Sequence, residues 1–173
     1  MEAFGPEGNA QRPLIERAIA MEDIRALGLG PPITVRRDAT LQAAVETLQR
    51  EHIGCVLVTD ESGKLAGIFT ERDLLTKVAL RSLDWNEERV GDYMTADPET
   101  LRPDDRIAWA LKLMHVGGYR HVPLTDETGR PVAVISVKDI VDFIVDLFPA
   151  PVLNLPPDPR RKDCSEGGSG EEG

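Results

Sequence analysis

Gly67-Ile68-Phe69-Thr70-Glu71-Arg72-Asp73 reads as an apolar strand end running into a helix start, and its pattern returns in Ala133-Val134-Ile135-Ser136-Val137-Lys138-Asp139. Subtracting 67 from 133 gives an offset of 66. In both stretches a hydroxyl and a carboxylate stand three residues apart at the junction.

The same offset holds upstream without a gap. Thr34 maps to Thr100, Asp38 to Asp104, Leu41 to Ile107, Ala44 to Ala110, Leu48 to Met114, Val56 to Val122, Asp60 to Asp126 and Gly63 to Gly129. A unit this short needs a second copy to bury its apolar face, so the chain is one duplicated α+β domain.

Periodicity places the elements. Residues 1–12 have no period and read as a loose end. Apolar residues at helical spacing predict a lead-in helix over Pro13 to Leu27, ended by Gly28-Leu29-Gly30-Pro31-Pro32. The first copy then predicts a strand at Ile33 to Val35, a helix at Thr40 to Glu51, strands at Cys55 to Thr59 and Leu65 to Phe69, and a helix at Glu71 to Leu80. The order is β-α-β-β-α.

A partly helical segment crosses to the second copy over residues 81–98, where Trp85 is either a cover on the core or an interface residue. In that copy a helix is predicted at Arg106 to Val116, strands at His121 to Thr125 and Val132 to Ile135, and a helix at Val137 to Phe148. The last helix is apolar over more than one stripe, which predicts a dimer contact. The domain division is a lead-in at 1–20, copies at 21–80 and 90–148 joined by 81–89, and a Pro/Gly/Glu-rich tail at 149–173 that reads as disordered.

Composition bounds the function. With 173 residues, 41% hydrophobic and 29% charged, the chain suits one soluble globular domain. No apolar run nears the roughly 20 residues of a membrane span, and Glu2 and Glu7 replace the basic region of a leader, so a cytoplasmic location is expected. Two cysteines, Cys55 and Cys164, exclude a disulfide framework or a zinc site, and no metal is expected. A net charge of -10 excludes nucleic acid as a bulk partner, yet a few clustered cations can still hold a small anion. No nucleophile–base pair or phosphate-binding glycine loop is present at usable spacing, which argues against an enzyme.

The repeated hydroxyl–carboxylate pair has two readings. Thr70 with Asp73, and Ser136 with Asp139, can simply cap helix starts at about 1 kcal/mol each. The same geometry also suits a phosphate, with the carboxylate accepting ribose hydroxyls. Capping does not ask for cations nearby, yet Arg72 and Lys138 directly precede the aspartates, and Arg120 with His121 heads a strand. Arg36 and Arg37 are equally a solvated pair or phosphate contacts; His52, His115 and Trp109 read as surface caps and packing.

Two tandem copies, each ending in a small residue-x-x-Thr/Ser-x-x-Asp, resemble a pair of CBS domains, the module named after cystathionine β-synthase. Val90-Gly91-Asp92-Tyr93-Met94-Thr95 resembles the lead-in that precedes a copy, with Met21-Glu22-Asp23-Ile24 a weaker echo. Tyr119-Arg120-His121-Val122-Pro123-Leu124 resembles the stretch that turns toward the ligand. The resemblance covers Met21 to Phe148, with Ala133 standing where the family often has glycine and the Gly28 to Pro32 loop inserted before the first copy.

The resemblance implies two copies packed about a pseudo-two-fold axis as a Bateman-type module, with two clefts that take adenosyl ligands. Thr70 and Asp73 would form one cleft with Ile53, Gly54, Cys55, Val56 and Thr34, and Arg120, His121 and Lys138 would bring positive charge. Ser136 and Asp139 would form the other with Tyr119, Val122, Pro123 and Thr100, and Arg72 would face its phosphate. Because Gly54 and Cys55 stand where the second copy has Arg120 and His121, the Asp139 cleft is expected to hold fewer cations. The implied ligands are AMP, ADP or ATP, with S-adenosylmethionine and NAD as other adenosyl forms, and the implied assembly is a homodimer acting on a client protein. Two functions stay open: a regulatory ligand sensor, and a constitutive dimerisation scaffold whose clefts stay empty.

Overall fold

The computed structural model describes residues 14–147. The expected loose end at 1–12 and disordered tail at 149–173 lie outside the described residues.

The elements run α1 (Leu14–Met21), β1 (Thr34–Arg36), α2 (Leu41–Glu51), β2 (Cys55–Thr59), β3 (Leu65–Thr70), α3 (Glu71–Asp73), β4 (Thr95–Ala96), α4 (Ile107–Gly117), β5 (His121–Thr125), β6 (Pro131–Ser136) and α5 (Val137–Leu147). Short 3-10 turns lie at Ile24–Leu27 and Val90–Asp92. The mixed α+β fold and the duplication follow the sequence, and Cys55–Thr59 and His121–Thr125 match the predicted strands residue for residue. The predicted lead-in helix is instead α1 plus a 3-10 turn, which Gly28 closes in the left-handed region at φ +61°. The helix after β3 keeps α geometry only to Asp73 and continues as a π turn over Leu74–Val78.

Each hairpin is set by the same local chemistry. Asp60 Oδ1 accepts from the backbone N–H groups of Ser62 and Lys64 at 2.8 and 2.9 Å, and Asp126 Oδ1 accepts from those of Thr128 and Arg130 at 2.8 and 2.9 Å. Gly63 and Gly129 take φ +79° and +80°, a conformation with no steric cost for glycine.

The two sheets differ, and proline explains the difference. The first is four-stranded in the order β1-β2-β3-β4; the second holds only β5 and β6. In the first copy Leu57 N–H donates to Ile33 O at 3.1 Å and Arg37 N–H to Thr59 O at 2.9 Å, extending the parallel β1–β2 ladder. At the same offset the second copy has Pro123 and Pro103, which have no N–H to give, and its first strand shrinks to the bridge Leu101↔Leu124. On the other edge Asp97 N–H donates to Ala66 O at 3.3 Å as β4 joins β3. The counterpart of Asp97 is Pro31, so no fourth strand forms there.

β2 is buried along its whole length because both its faces are covered. Val56 and Val58 face one helical core with Leu41, Ala44, Leu48 and Phe69. Cys55 and Leu57 face the opposite way, where they pack with Ile68 of their own copy and Val134 of the second.

The lead-ins are exchanged between the copies. Ile24 packs with Ile107, Ala110, Val122 and Ile140 of the second copy, while Val90, Tyr93 and Met94 complete the core of the first. Backbone bonds repeat the exchange: Ile24 N–H donates to Asp105 O at 2.8 Å and Ile107 N–H to Glu22 O at 3.1 Å, while Val90 N–H donates to Ala39 O at 3.0 Å and Leu41 N–H to Glu88 O at 2.8 Å. Adding 66 to the first-copy partner and subtracting 66 from the second-copy partner turns each bond of the first pair into one of the second, the signature of a pseudo-two-fold axis. Trp85 is part of this packing, half-buried against the first core, and its backbone carbonyl accepts from Gln42 N–H at 3.0 Å.

Candidate functional site

Two clefts share a wall made of Gly54, Arg120 and His121, which line both. The wall follows from the duplication: Gly54 and Arg120 occupy equivalent positions, and the pseudo-axis brings them face to face. A methyl carbon at Gly54 would stand 3.1 Å from the His121 ring, so any larger residue there makes the ring give by a few tenths of an ångström. Burial, and then the neighbouring Arg120 charge, hold the His121 imidazole below its ordinary pKa, against the opposing pull of Asp139 and Glu71. Burial pushes the Cys55 thiol up to about 12, helped by Asp139 and Glu71, so this cysteine is a small hydrophobe rather than a nucleophile.

In the first cleft, of about 390 Å³, β3 ends and Thr70 caps α3. Thr70 Oγ1 accepts from Asp73 N–H at 3.2 Å while its backbone N–H and hydroxyl donate to Asp73 Oδ2 at 3.0 and 2.7 Å, a full capping box. Asp73 is 7% exposed. Its second oxygen, Oδ1, accepts from Lys77 Nζ at 2.7 Å and Thr95 Oγ1 at 3.2 Å. Lys77 Nζ also donates to the carbonyls of Tyr93 and Met94 at 2.8 and 3.1 Å, pinning the π turn to the exchanged lead-in. Arg72 Nη1 donates to Gly118 O at 2.8 Å. Tyr119 donates its hydroxyl to Glu99, and burial, with that bond second, pushes the phenol up to about 12.

In the second cleft, of about 690 Å³, the cap is repeated at the start of α5. The Ser136 backbone N–H and hydroxyl donate to Asp139 Oδ2 at 2.7 and 2.6 Å, and Asp139 N–H returns a bond to Ser136 Oγ at 3.2 Å. Among the described residues nothing donates to Asp139 Oδ1. Glu71 and Arg120 approach to 4.0 Å at the mouth, both side chains well exposed, and Lys138 pairs with Asp142.

The cleft walls are distributed differently from the expectation. Tyr119, Pro123 and Arg72 line the Asp73 cleft rather than the Asp139 cleft, while Ile53, Cys55 and Lys138 line the Asp139 cleft rather than the Asp73 cleft. The reason is the pseudo-axis: it sets each copy's strand entrance beside the partner copy's carboxylate. Val56 and Val122 are fully buried in the two cores, while Thr34 on β1 and Thr100 before the Leu101 bridge are exposed, so these four line neither cleft. The expected shortage of cations at Asp139 also disappears, because Arg120 and His121 face both clefts and Lys138 adds a third basic group. The Asp73 cleft instead carries the extra acids Asp97 and Glu99.

Two lining stretches escaped the sequence reading, Thr95 to Glu99 in the first cleft and Gly30 to Ile33 in the second. They are equivalent at the offset of 66 over Gly30 to Ile33 and Ala96 to Glu99, and that correspondence was the available signal.

The family model for the CBS domain matches residues 23–80 and 90–146. Curated relatives include the CBS domain-containing protein CBSCBSPB1 of Arabidopsis thaliana, 34% identical over 127 residues that cover 73% of this chain and 22% of the relative. Another is CBSX3, mitochondrial, from the same plant, 31% identical over 112 residues, 62% of this chain and 54% of the relative. The chain therefore spans about half or less of the length of these relatives. Among solved structures, the CBS-domain containing protein ATU1752 of Agrobacterium tumefaciens is 32% identical with a TM-score of 0.63, covering 70% of this chain and 98% of that one. PAE2072 of Pyrobaculum aerophilum, complexed with AMP, is 25% identical with a TM-score of 0.63 over 68% and 89% of the two chains. The CBS domain pair of MJ0100, in complex with 5'-methylthioadenosine and S-adenosyl-L-methionine, is 25% identical with a TM-score of 0.63 over 71% and 99%. With both copies matched and their exchanged lead-ins, hairpins and capped aspartates in place, the chain belongs to the CBS domain family as a tandem pair.

Proposed function

We propose that this chain is a regulatory module that binds an adenosyl nucleotide, AMP, ADP or ATP, between its copies and alters a client protein in response. The observation that carries this reading is Asp139: a carboxylate with one oxygen held by Ser136 and the other open to a cleft that Arg120, His121 and Lys138 line. A ribose donates to such a carboxylate, and the basic groups suit its phosphates. The relatives described with AMP, 5'-methylthioadenosine and S-adenosyl-L-methionine support an adenosyl ligand.

Regulation works by population shift. A ligand touching both sides of the Gly54–His121 wall favours the packing of the two copies in which those contacts exist, and the client reads that packing. Val137 and Val141, exposed on α5, support a homodimer contact, and no helix among the described residues is long and apolar enough to cross a membrane, in keeping with a module acting in the cytoplasm. The chemistry is binding rather than catalysis.

Thermal unfolding with AMP, ADP, ATP, NAD and S-adenosylmethionine tests the reading. A ligand at 100 times its dissociation constant adds about 2.7 kcal/mol, and an aspartate-to-alanine change in the occupied cleft cancels the gain. If none of the panel moves the midpoint, the chain is instead a constitutive dimerisation scaffold with capped helices.

A further inference from the structure

The two clefts share a motif but differ in what their carboxylates have left to offer. An ionised carboxylate has about four acceptor positions. On Asp73 all are taken: Oδ2 accepts from the Thr70 N–H and hydroxyl, and Oδ1 from Lys77 Nζ and Thr95 Oγ1. On Asp139 the Ser136 N–H and hydroxyl occupy Oδ2 alone. The equivalents of Lys77 and Thr95 explain the difference, since adding 66 to 77 gives Phe143 and subtracting 66 from 95 gives Leu29. Neither can donate, and both pack into the apolar core of the second copy.

We infer that Lys77 and Thr95 are specificity-determining residues that keep the Asp73 cleft from taking a nucleoside, so that the chain binds one adenosyl ligand, at Asp139. This inference rests on the adenosyl reading of the clefts and adds which of them is used. A ribose entering at Asp73 has to displace an ammonium that is also held by the Tyr93 and Met94 carbonyls. Those carbonyls belong to the exchanged lead-in, so displacement disturbs the packing of the first core as well. A ribose entering at Asp139 finds its two acceptor positions open. The neighbouring acids lean the same way for a phosphorylated ligand, because beside its aspartate the first cleft is lined by two acids, Asp97 and Glu99, and the second by one, Glu71, which already faces Arg120.

Calorimetric titration of the full chain with AMP tests this. The expected result is one AMP per chain, with affinity falling about tenfold or more in Asp139→Asn and less than about twofold in Asp73→Asn. The double change Lys77→Met, Thr95→Val is expected to raise the ratio to two, the second event vanishing again when Asp73→Asn is added. Two equal sites in the unaltered chain, or greater loss in Asp73→Asn than in Asp139→Asn, overturns the inference while leaving the adenosyl reading intact. A folded double variant that still binds a single AMP also overturns it. If that variant fails to fold, the two aspartate changes decide alone. No AMP binding by any of the proteins overturns the adenosyl reading itself, and this inference with it.

Discussion

Gly67 on β3 lies across the antiparallel ladder from Ala96 on β4, and a methyl carbon built on Gly67 would stand 2.8 Å from the Thr95 carbonyl and 2.4 Å from Met94 Sδ. The equivalent position in the second copy is Ala133, on a strand whose outer edge has no partner among the described strands. Gly67→Ala is therefore expected to destabilise by about 1–3 kcal/mol through forced backbone shifts, whereas Ala133→Gly costs about 1 kcal/mol or less. Urea unfolding of the two variants checks the asymmetry; equal effects would show that β4 does not set it.

The exchanged lead-ins make a distinctive prediction about where damage appears. Ile24 is 1% exposed and stands at the start of the first copy, yet it packs in the core of the second. Ile24→Ala should destabilise by about 2–5 kcal/mol and speed amide exchange in α4 and α5 more than in α2. Val90→Ala, with its contacts in the first core, should show the reverse pattern.

Removing the two aspartates should not cost the same. Asp73→Ala abolishes the capping box and leaves Lys77 without its carboxylate beside a buried site, for a loss of about 2 kcal/mol or more. Asp139→Ala loses only the cap bonds with Ser136, about 1 kcal/mol. Denaturation of the ligand-free variants measures both.

The His121 wall predicts a pH dependence. Burial and Arg120 hold its folded pKa below the unfolded value, so the neutral ring contributes stability that is present above about pH 6.5 and lost as pH falls through the folded pKa. Between about pH 7 and 5 the unaltered chain should lose stability more steeply than His121→Gln. Parallel slopes in the two unfolding series would remove His121 from the account.

Cys55 should resist alkylation in the folded chain at pH 8, because its buried thiol is pushed up to about 12. Mass spectrometry with and without urea reads this: modification of Cys55 is expected only in urea.

What the sequence determined by itself was everything with a short reach. The duplication, the Asp60 and Asp126 hairpins, the caps at Thr70 and Ser136 and the strand pair of each copy depend on contacts a few residues apart, which helix and turn geometry dictate directly. The prolines at 31, 103 and 123 were equally visible, and the ladder bonds they cannot make account for the smaller second sheet, but only once the register assigned each its missing partner. The tertiary structure alone decided which lead-in completes which core, which stretch walls which cleft, and that Thr95 reaches Asp73 across 22 residues of chain. Those choices belong to the packing of one copy on the other. A pseudo-two-fold axis exchanges equivalent surfaces, and two nearly identical copies carry no local signal saying whether a segment packs on its own copy or on its twin.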